Sequence, residues 1–314
     1  MKHTTLSNTD RFWPKASAWV EGKHFENPLG TIGLLGVPLS KGSITHSRCD
    51  LAPSAIRSAL QKFSTYDFNI PCDLRAVEVV DLGDLDVADD LPEAAERKIS
   101  GAVRTAMQRS DVIVALGGDN SVTRPVLLGI TDSLEECGLI TLDAHLDLRD
   151  LEGGLTNGNP IRALLADGFT GSHIVQIGIQ SFANSQAYAQ VAHEAGIVVH
   201  TVEEIRRRGI DVVLADALAR LSATCRTIYV DLDLDVLDRS FAPATAGSRP
   251  GGLAPWEILL ASRVCGLHSK VHVLDLVEID PSSDVSDTTI FSAAACFLSF
   301  AAGFCARFDL KDRC

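Results

Sequence analysis

Eight short apolar runs, four to seven residues each, recur along the 314-residue chain with helix-like stretches between them, and this alternation limits the available folds more than any other feature. The runs cover 31–37, 76–80, 111–116, 139–142, 173–177, 197–200, 227–230 and 271–277. A strand buried on both faces reads as a continuous apolar run, whereas a strand with one wet face alternates. Between the runs, 52–62, 92–109, 202–221 and 255–265 carry apolar residues at three- and four-residue spacing, the helical period. Strands alternating with helices predict a parallel sheet covered on both faces, with any site beyond the carboxyl ends of the strands. With 46% hydrophobic residues and no Pro- or Ser-rich linker, residues 1–314 are expected to form one domain, with 1–28 as an N-terminal extension.

Acidic residues gather at those strand ends. The run ending at Leu142 leads into Asp143-Ala144-His145-Leu146-Asp147, and the run ending at Val230 leads into Asp231-Leu232-Asp233-Leu234-Asp235. Along an extended segment side chains alternate, so Asp143, His145 and Asp147 are expected on one side. Asp233 and Asp235 follow the same rule, with Leu234 turned inward and Asp231 one step earlier on their face. Carboxylates gathered so closely take up protons unless divalent cations neutralise them. Hard oxygen ligands with one imidazole suit manganese, with iron, nickel or zinc as alternatives. Solvated loop aspartates would have polar flanks, and these have strands. After the run 111–116, the turn Gly117-Gly118-Asp119-Asn120-Ser121 brings Asp119 and Asn120 to the same end, its glycines letting the backbone bend.

A net charge of -13 and a pI near 5.1 argue against nucleic acid or an anionic membrane surface as a partner. The eight cysteines form no Cys-x-x-Cys pair and several sit in apolar runs, which points to free thiols in a reducing cytoplasm. The first ten residues lack the apolar core of a signal peptide. Residues 289–308 carry a single charge, Arg307, but are rich in Ala and Ser, so they are expected to pack as a helix on the sheet rather than cross a membrane.

The order Gly-Gly-Asp-Asn-Ser, Asp-Ala-His-Leu-Asp, Asp-Leu-Asp-Val-Leu-Asp-Arg-Ser-Phe-Ala-Pro-Ala and a late Glu278-Ile-Asp-Pro resembles the ureohydrolase family, which includes arginase, agmatinase and formimidoylglutamase. The resemblance runs from about Gly33 to beyond Glu278. It implies a three-layer α/β/α sandwich with an eight-stranded, mainly parallel sheet, and two divalent metal ions. It makes Asp143 and Asp233 bridging ligands, His145 and Asp235 further ligands of one metal, and Asp147 a ligand of the other, with Asn120 completing the second site. It also implies a homo-oligomer, a trimer or hexamer.

Three departures bear on the substrate. The family usually has His at the position of Asn120, and arginase and agmatinase have a His-Gly segment where this chain has Asn157-Gly158-Asn159-Pro160. Arg149 replaces the arginase Asn two residues past the last motif aspartate. Arg149, Asn157 and Asn159 are thus expected at the substrate, Arg149 as a fork for a carboxylate, its bland alternative being an ion pair with Asp150 or Glu152. Glu278 is expected to face the cationic end of a small amidine or guanidine, and Asp147 to pass the proton that the departing nitrogen needs. Arg162, Arg239 and Arg249 could add positive charge. The pattern, with Phe182-Ala183-Asn184-Ser185, is closest to formimidoylglutamase-type members, implying hydrolysis of N-formimidoyl-L-glutamate to glutamate and formamide. The alternatives are a guanidino-acid, agmatine or arginine hydrolase releasing urea, and a non-catalytic regulatory subunit.

Overall fold

The computed structural model describes residue 10, residues 12–22 and residues 28–311, with side chains to residue 308. The remainder of the expected N-terminal extension, and Cys314, lie outside the described residues. The strands are β1 (Thr31–Val37), two short strands β2 (Tyr66–Asp67) and β3 (Cys72–Asp73), β4 (Glu78–Asp84), β5 (Val112–Gly117), β6 (Cys137–Leu142), β7 (Ile174–Ile179), β8 (Val198–Thr201), β9 (Thr227–Asp233) and β10 (Val271–Val277). The helices are α1 (Ala16–Val20), α2 (Ala52–Ala59), α3 (Pro92–Met107), α4 (Thr123–Ile130), α5 (Pro160–Ala166), α6 (Gln186–Ala195), α7 (Val202–Arg208), α8 (Ile210–Ser222), α9 (Pro255–Leu267) and α10 (Thr288–Lys311).

Eight strands form one sheet in the order β4-β1-β5-β10-β9-β6-β7-β8, and every pairing in it is parallel. The small antiparallel pair of β2 and β3 was not visible as a hydrophobic pattern, because two residues cannot show a period. β5, β6, β7, β9 and β10 are buried almost throughout, as their unbroken apolar runs require. One core lies beneath α1, α2 and α7 to α10, the other beneath α3 to α6, which gives the three expected layers. Hydrophobic burial on both sheet faces is the dominant stabilising contribution.

Proline in the first turn opens α2, α3, α5 and α9, where its missing N–H has no helical partner to lose. The helix expected over 202–221 is two helices, α7 and α8. Gly209 separates them with φ 91°, a left-handed conformation that costs glycine little. Although 289–308 is apolar enough to cross a membrane by composition, α10 packs against α9 with Phe297, Phe300 and Phe304 in the core. Part of the N-terminal extension also joins that core: Trp19 of α1 stacks on Phe297 at 5.7 Å and donates its indole N–H to the Val77 carbonyl.

Candidate active site

β5, β10, β9 and β6 are neighbours in the sheet, and their carboxyl ends deliver the acidic motifs to one place. β10 and β9 lie between β5 and β6; the loops leaving β5 and β6 lead to α4 and α5 on one sheet face and those leaving β9 and β10 lead to α9 and α10 on the other, so they part around a crevice beyond the strand ends. The Gly117-Gly118 turn after β5 is required by close packing rather than by a positive φ. A Cβ on Gly118 would collide with the Leu39 carbonyl, the same oxygen that accepts the Asp119 N–H at 2.7 Å.

The convergence of Asp143, His145 and Asp147 differs in origin from pleat alternation. β6 ends at Leu142, the His145 N–H folds back onto Asp143 Oδ1 at 2.6 Å, and Asp147 has φ 50°. The segment is a turn that gathers its side chains. Asp235 likewise lies on a single 3-10 turn, Leu234–Val236, with its N–H on Asp233 Oδ1 at 2.8 Å. Leu234 is buried as expected. Asp231, expected on the same face, stays inside the sheet, opposite Asp275 in the register of β10 and β9. It belongs to a separate buried carboxyl pair.

Ligand atoms of Asp143, His145 and Asp235 lie within 4.8 Å of one another, and His145 Nδ1 is 2.8 Å from Asp235 Oδ2. Asp147 and Asn120 adjoin them, with Asn120 Nδ2 donating to Asp147 Oδ2 at 2.6 Å. Burial, then Asp235, pushes Asp143 up to about 6, and burial, then Asp143, holds Asp147 well above the usual carboxylate range. Burial and then Asp235 do the same to Asp233. For Asp235 burial is the largest single effect and raises the carboxyl, but His145, the Ala144 N–H and Asp143 together bring it below its ordinary value, while His145 is raised to about 12, by Asp235 first. Buried like charges that raise one another's proton affinity are what divalent cations relieve, and one imidazole among hard oxygens is a donor set that fits two such ions. Asp143, His145 and Asp235 have ligand atoms close enough to share one ion, and Asp147, Asp233 and Asn120 lie beside them and could complete a second position.

A cavity of about 130 Å³ opens onto these groups, with Arg149, Asn157, Arg249 and Glu278 in its wall. A larger groove of about 950 Å³ between α8, α9 and α10 lies at the opposite end of the strands, out of reach of the carboxylates. Glu278 follows β10 with φ 63°, so both Asp147 and Glu278 hold non-glycine backbone in the left-handed region. Such positions cost about 1–3 kcal/mol each and cluster at working sites. Burial, then Asp119, raises Glu278 to about 8. Its Oε1 accepts the Asn120 main-chain N–H at 2.8 Å and Asn157 Nδ2 at 2.9 Å.

Among the described residues no ion pair joins Arg149 to Asp150 or Glu152, and its side chain lies over Gly158, where a Cβ would meet Arg149 Nε at 2.9 Å. Asn159 corrects the sequence reading. It is buried, accepts the Thr156 N–H and donates to the carbonyls of Asp150 and Gly154, so it shapes the loop and does not line the cavity. Arg162 and Arg239 also serve loops, donating to the carbonyls of Leu148 and Thr245. Two contributors were missed. Asn184 brackets His145, accepting the Leu146 N–H at 2.8 Å and donating to the Ala144 carbonyl at 3.0 Å. Thr123 donates to Asn120 Oδ1 at 2.6 Å. Asn184 stands in the Phe182-Ala183-Asn184-Ser185 segment singled out in the sequence, but a contact across about forty residues follows no period, and Thr123, three residues after Asn120, has no signal beyond its residue type.

The chain matches the model of the arginase family over residues 30–303. It is 37% identical to the formimidoylglutamase of Halalkalibacterium halodurans over 97% of this chain and 93% of that protein. It is 32% identical to the guanidinopropionase of Pseudomonas aeruginosa over 84% of this chain and 83% of that one. Among solved structures, formimidoylglutamase from Bacillus subtilis superposes with a TM-score of 0.88 at 32% identity, covering 97% of this chain and 96% of that one. Matched fold, matched motifs and matched length agree: this chain is a member of the arginase family, the ureohydrolases.

Proposed function

We propose that the protein hydrolyses a linear amidine with an acidic tail, N-formimidoyl-L-glutamate, to L-glutamate and formamide. One observation carries this reading: the same small cavity sets buried carboxylates, Asp147, Asp233, Asp235 and Glu278, against two guanidinium groups, Arg149 and Arg249. A substrate with a cationic amidine at one end and carboxylates at the other matches both signs. Two bound divalent ions, for which the donor set favours manganese, supply Lewis acidity and a water activated near neutral pH.

The chain's own groups divide the remaining tasks. Oε1 of Glu278 is occupied by Asn120 and Asn157, which leaves Oε2 to accept an amidinium N–H. Arg149, with no ion-pair partner among the described residues, offers its fork to a carboxylate, where paired charged hydrogen bonds fix orientation. Arg249 donates through one terminal nitrogen to the carbonyls of Ala246, Gly247 and Ser248, which anchors it at the rim. The carboxyl of Asp147 carries the proton to the departing glutamate nitrogen as water oxygen becomes the formamide carbonyl oxygen. The buried thiols of Cys49, Cys137, Cys225, Cys265 and Cys296 suit a reducing cytoplasm, and assembly as a trimer or hexamer belongs to the same proposal.

Steady-state assay of the manganese-loaded protein on formimidoylglutamate, arginine, agmatine and guanidinobutyrate tests the reading. Formamide from the first and no urea from the others is expected. Faster urea release from any guanidino compound would replace the amidine reading, and two bound metals without turnover would favour a binding role.

A further inference from the structure

Asn120 turns the wrong end of its carboxamide toward the carboxylates. Nδ2 donates to Asp147 Oδ2 at 2.6 Å and approaches Asp143 Oδ2 at 3.5 Å, while Oδ1 faces Thr123 Oγ1 at 2.6 Å. The amide hydrogens thus do part of what a cation would do, offering positive charge to two buried acids. A hard cation requires the carbonyl oxygen instead. An amide can present that oxygen only if its N–H groups find an acceptor behind it, because Asn120 and Thr123 are 2% and 0% exposed and water does not reach them freely.

Thr123 can serve both orientations. A hydroxyl has one donor and two acceptor lone pairs, and Oγ1 already lies 3.0 Å from the Asn120 main-chain oxygen as well as 2.6 Å from Oδ1. With the carboxamide reversed, the Thr123 hydrogen goes to the main-chain oxygen and a lone pair accepts Nδ2. The Asn120 backbone stays fixed throughout, its N–H on Glu278 and its carbonyl accepting the Thr123 main-chain N–H. Only the last torsion of the side chain turns, and for Asn that torsion is broad and nearly two-fold.

We infer that Asn120 and Thr123 form a metal-responsive rotor: without metal the carboxamide plugs the second metal position by bonding Asp147, and metal entry reverses it, with Thr123 changing from donor to acceptor and holding Oδ1 forward. Thr123 is therefore a positioning residue for the second metal. The rotor rests on the two-metal reading of the site but not on the identity of the substrate. Filling the second position costs the amide bond to Asp147, so the two metals bind in separate steps, the second more weakly.

Calorimetric titration of the metal-free protein with Mn²⁺ tests this without any substrate. Wild type should show two steps. Thr123→Val, which removes the hydroxyl but little volume, should weaken the second step by about 10- to 100-fold and leave the first within about threefold, and Thr123→Ser should restore it. Equal weakening of both steps in Thr123→Val would mean general damage, and unchanged binding in that variant would mean that Thr123 does not position the amide; either overturns the rotor. A wild-type protein that binds fewer than two Mn²⁺ ends the two-metal reading itself, and the rotor with it, whereas a correct rotor with a wrong substrate would still give the full pattern.

Discussion

Asn157 donates its carboxamide N–H to Oε1 of Glu278 at 2.9 Å, sharing that oxygen with the main-chain N–H of Asn120. The loop that departs from the family's common pattern thus grips the acid assigned to the cationic end of the substrate. Glu278→Gln keeps the shape but removes the anion, and kcat/KM on formimidoylglutamate should fall by about 100-fold. Asn157→Ala removes one neutral donor to that acid and should cost roughly tenfold. Steady-state formamide release from both variants checks the ranking, and an Asn157→Ala defect larger than that of Glu278→Gln would reverse the assigned roles.

Arg149 and Arg249 face the same cavity, but only Arg249 is tied to backbone carbonyls. Arg149→Ala should raise KM for formimidoylglutamate by about 10- to 100-fold with kcat changed far less, as expected for a charged hydrogen bond to a part of the substrate that does not react. Arg149→Lys should recover only part of that loss, since a point charge does not replace a planar fork. An unchanged KM in Arg149→Ala would remove this residue from the substrate's binding site.

The metal-free protein should lose stability as pH rises. Glu278 is raised from 4.5 to about 8 and Asp275 from 3.8 to about 6, each by burial first, so each binds more protons folded than unfolded. The stability each contributes is full below its unfolded value and is lost as pH passes through the folded one. His145, raised from 6.5 to about 12, has the same sign. Melting of the chelator-treated protein should therefore occur at a higher temperature near pH 5.5 than near pH 8, and added Mn²⁺ should shrink the difference because metal binding needs deprotonated ligands. A metal-free melting temperature that is flat or rises over that window would contradict these shifts.

Phe297 is fully buried in α10 and stacked on Trp19. Phe297→Ala should destabilise the fold by about 3–5 kcal/mol through lost burial and the cavity left behind. Denaturant unfolding of the metal-loaded protein measures it. A loss below about 1 kcal/mol would mean that the core collapses around the gap.

Much of this arrangement is legible in the sequence because it rests on burial. β1 and β10 begin and end where their apolar runs do, and β6 and β9 lead into the acids that the motif reading singled out. What escaped has identifiable physical causes. Period-two alternation placed Asp143, His145 and Asp147 on one face, yet their gathering comes from a turn held by Asn184 and by a left-handed Asp147, and neither leaves a periodic trace. Asn159 and Asn157 stand two residues apart in the same loop, but one bonds its own backbone and the other reaches Glu278, a distinction set by packing rather than residue type. Gly209 was hidden inside an apolar pattern that continues on both sides of it.

The insertion of β9 and β10 between β5 and β6 also governs when the protein can fold. During synthesis β5 and β6 emerge long before the two strands that will separate them, so until then each has an open hydrogen-bonding edge of buried character. On the proposed ligand assignment the acids after β6 wait for Asp233 and Asp235, and neither metal position is complete on a nascent chain that stops short of β9. Metal can seal the finished sheet but cannot template it, so the interval before the last strands arrive is when the chain is most exposed to mispairing with its neighbours.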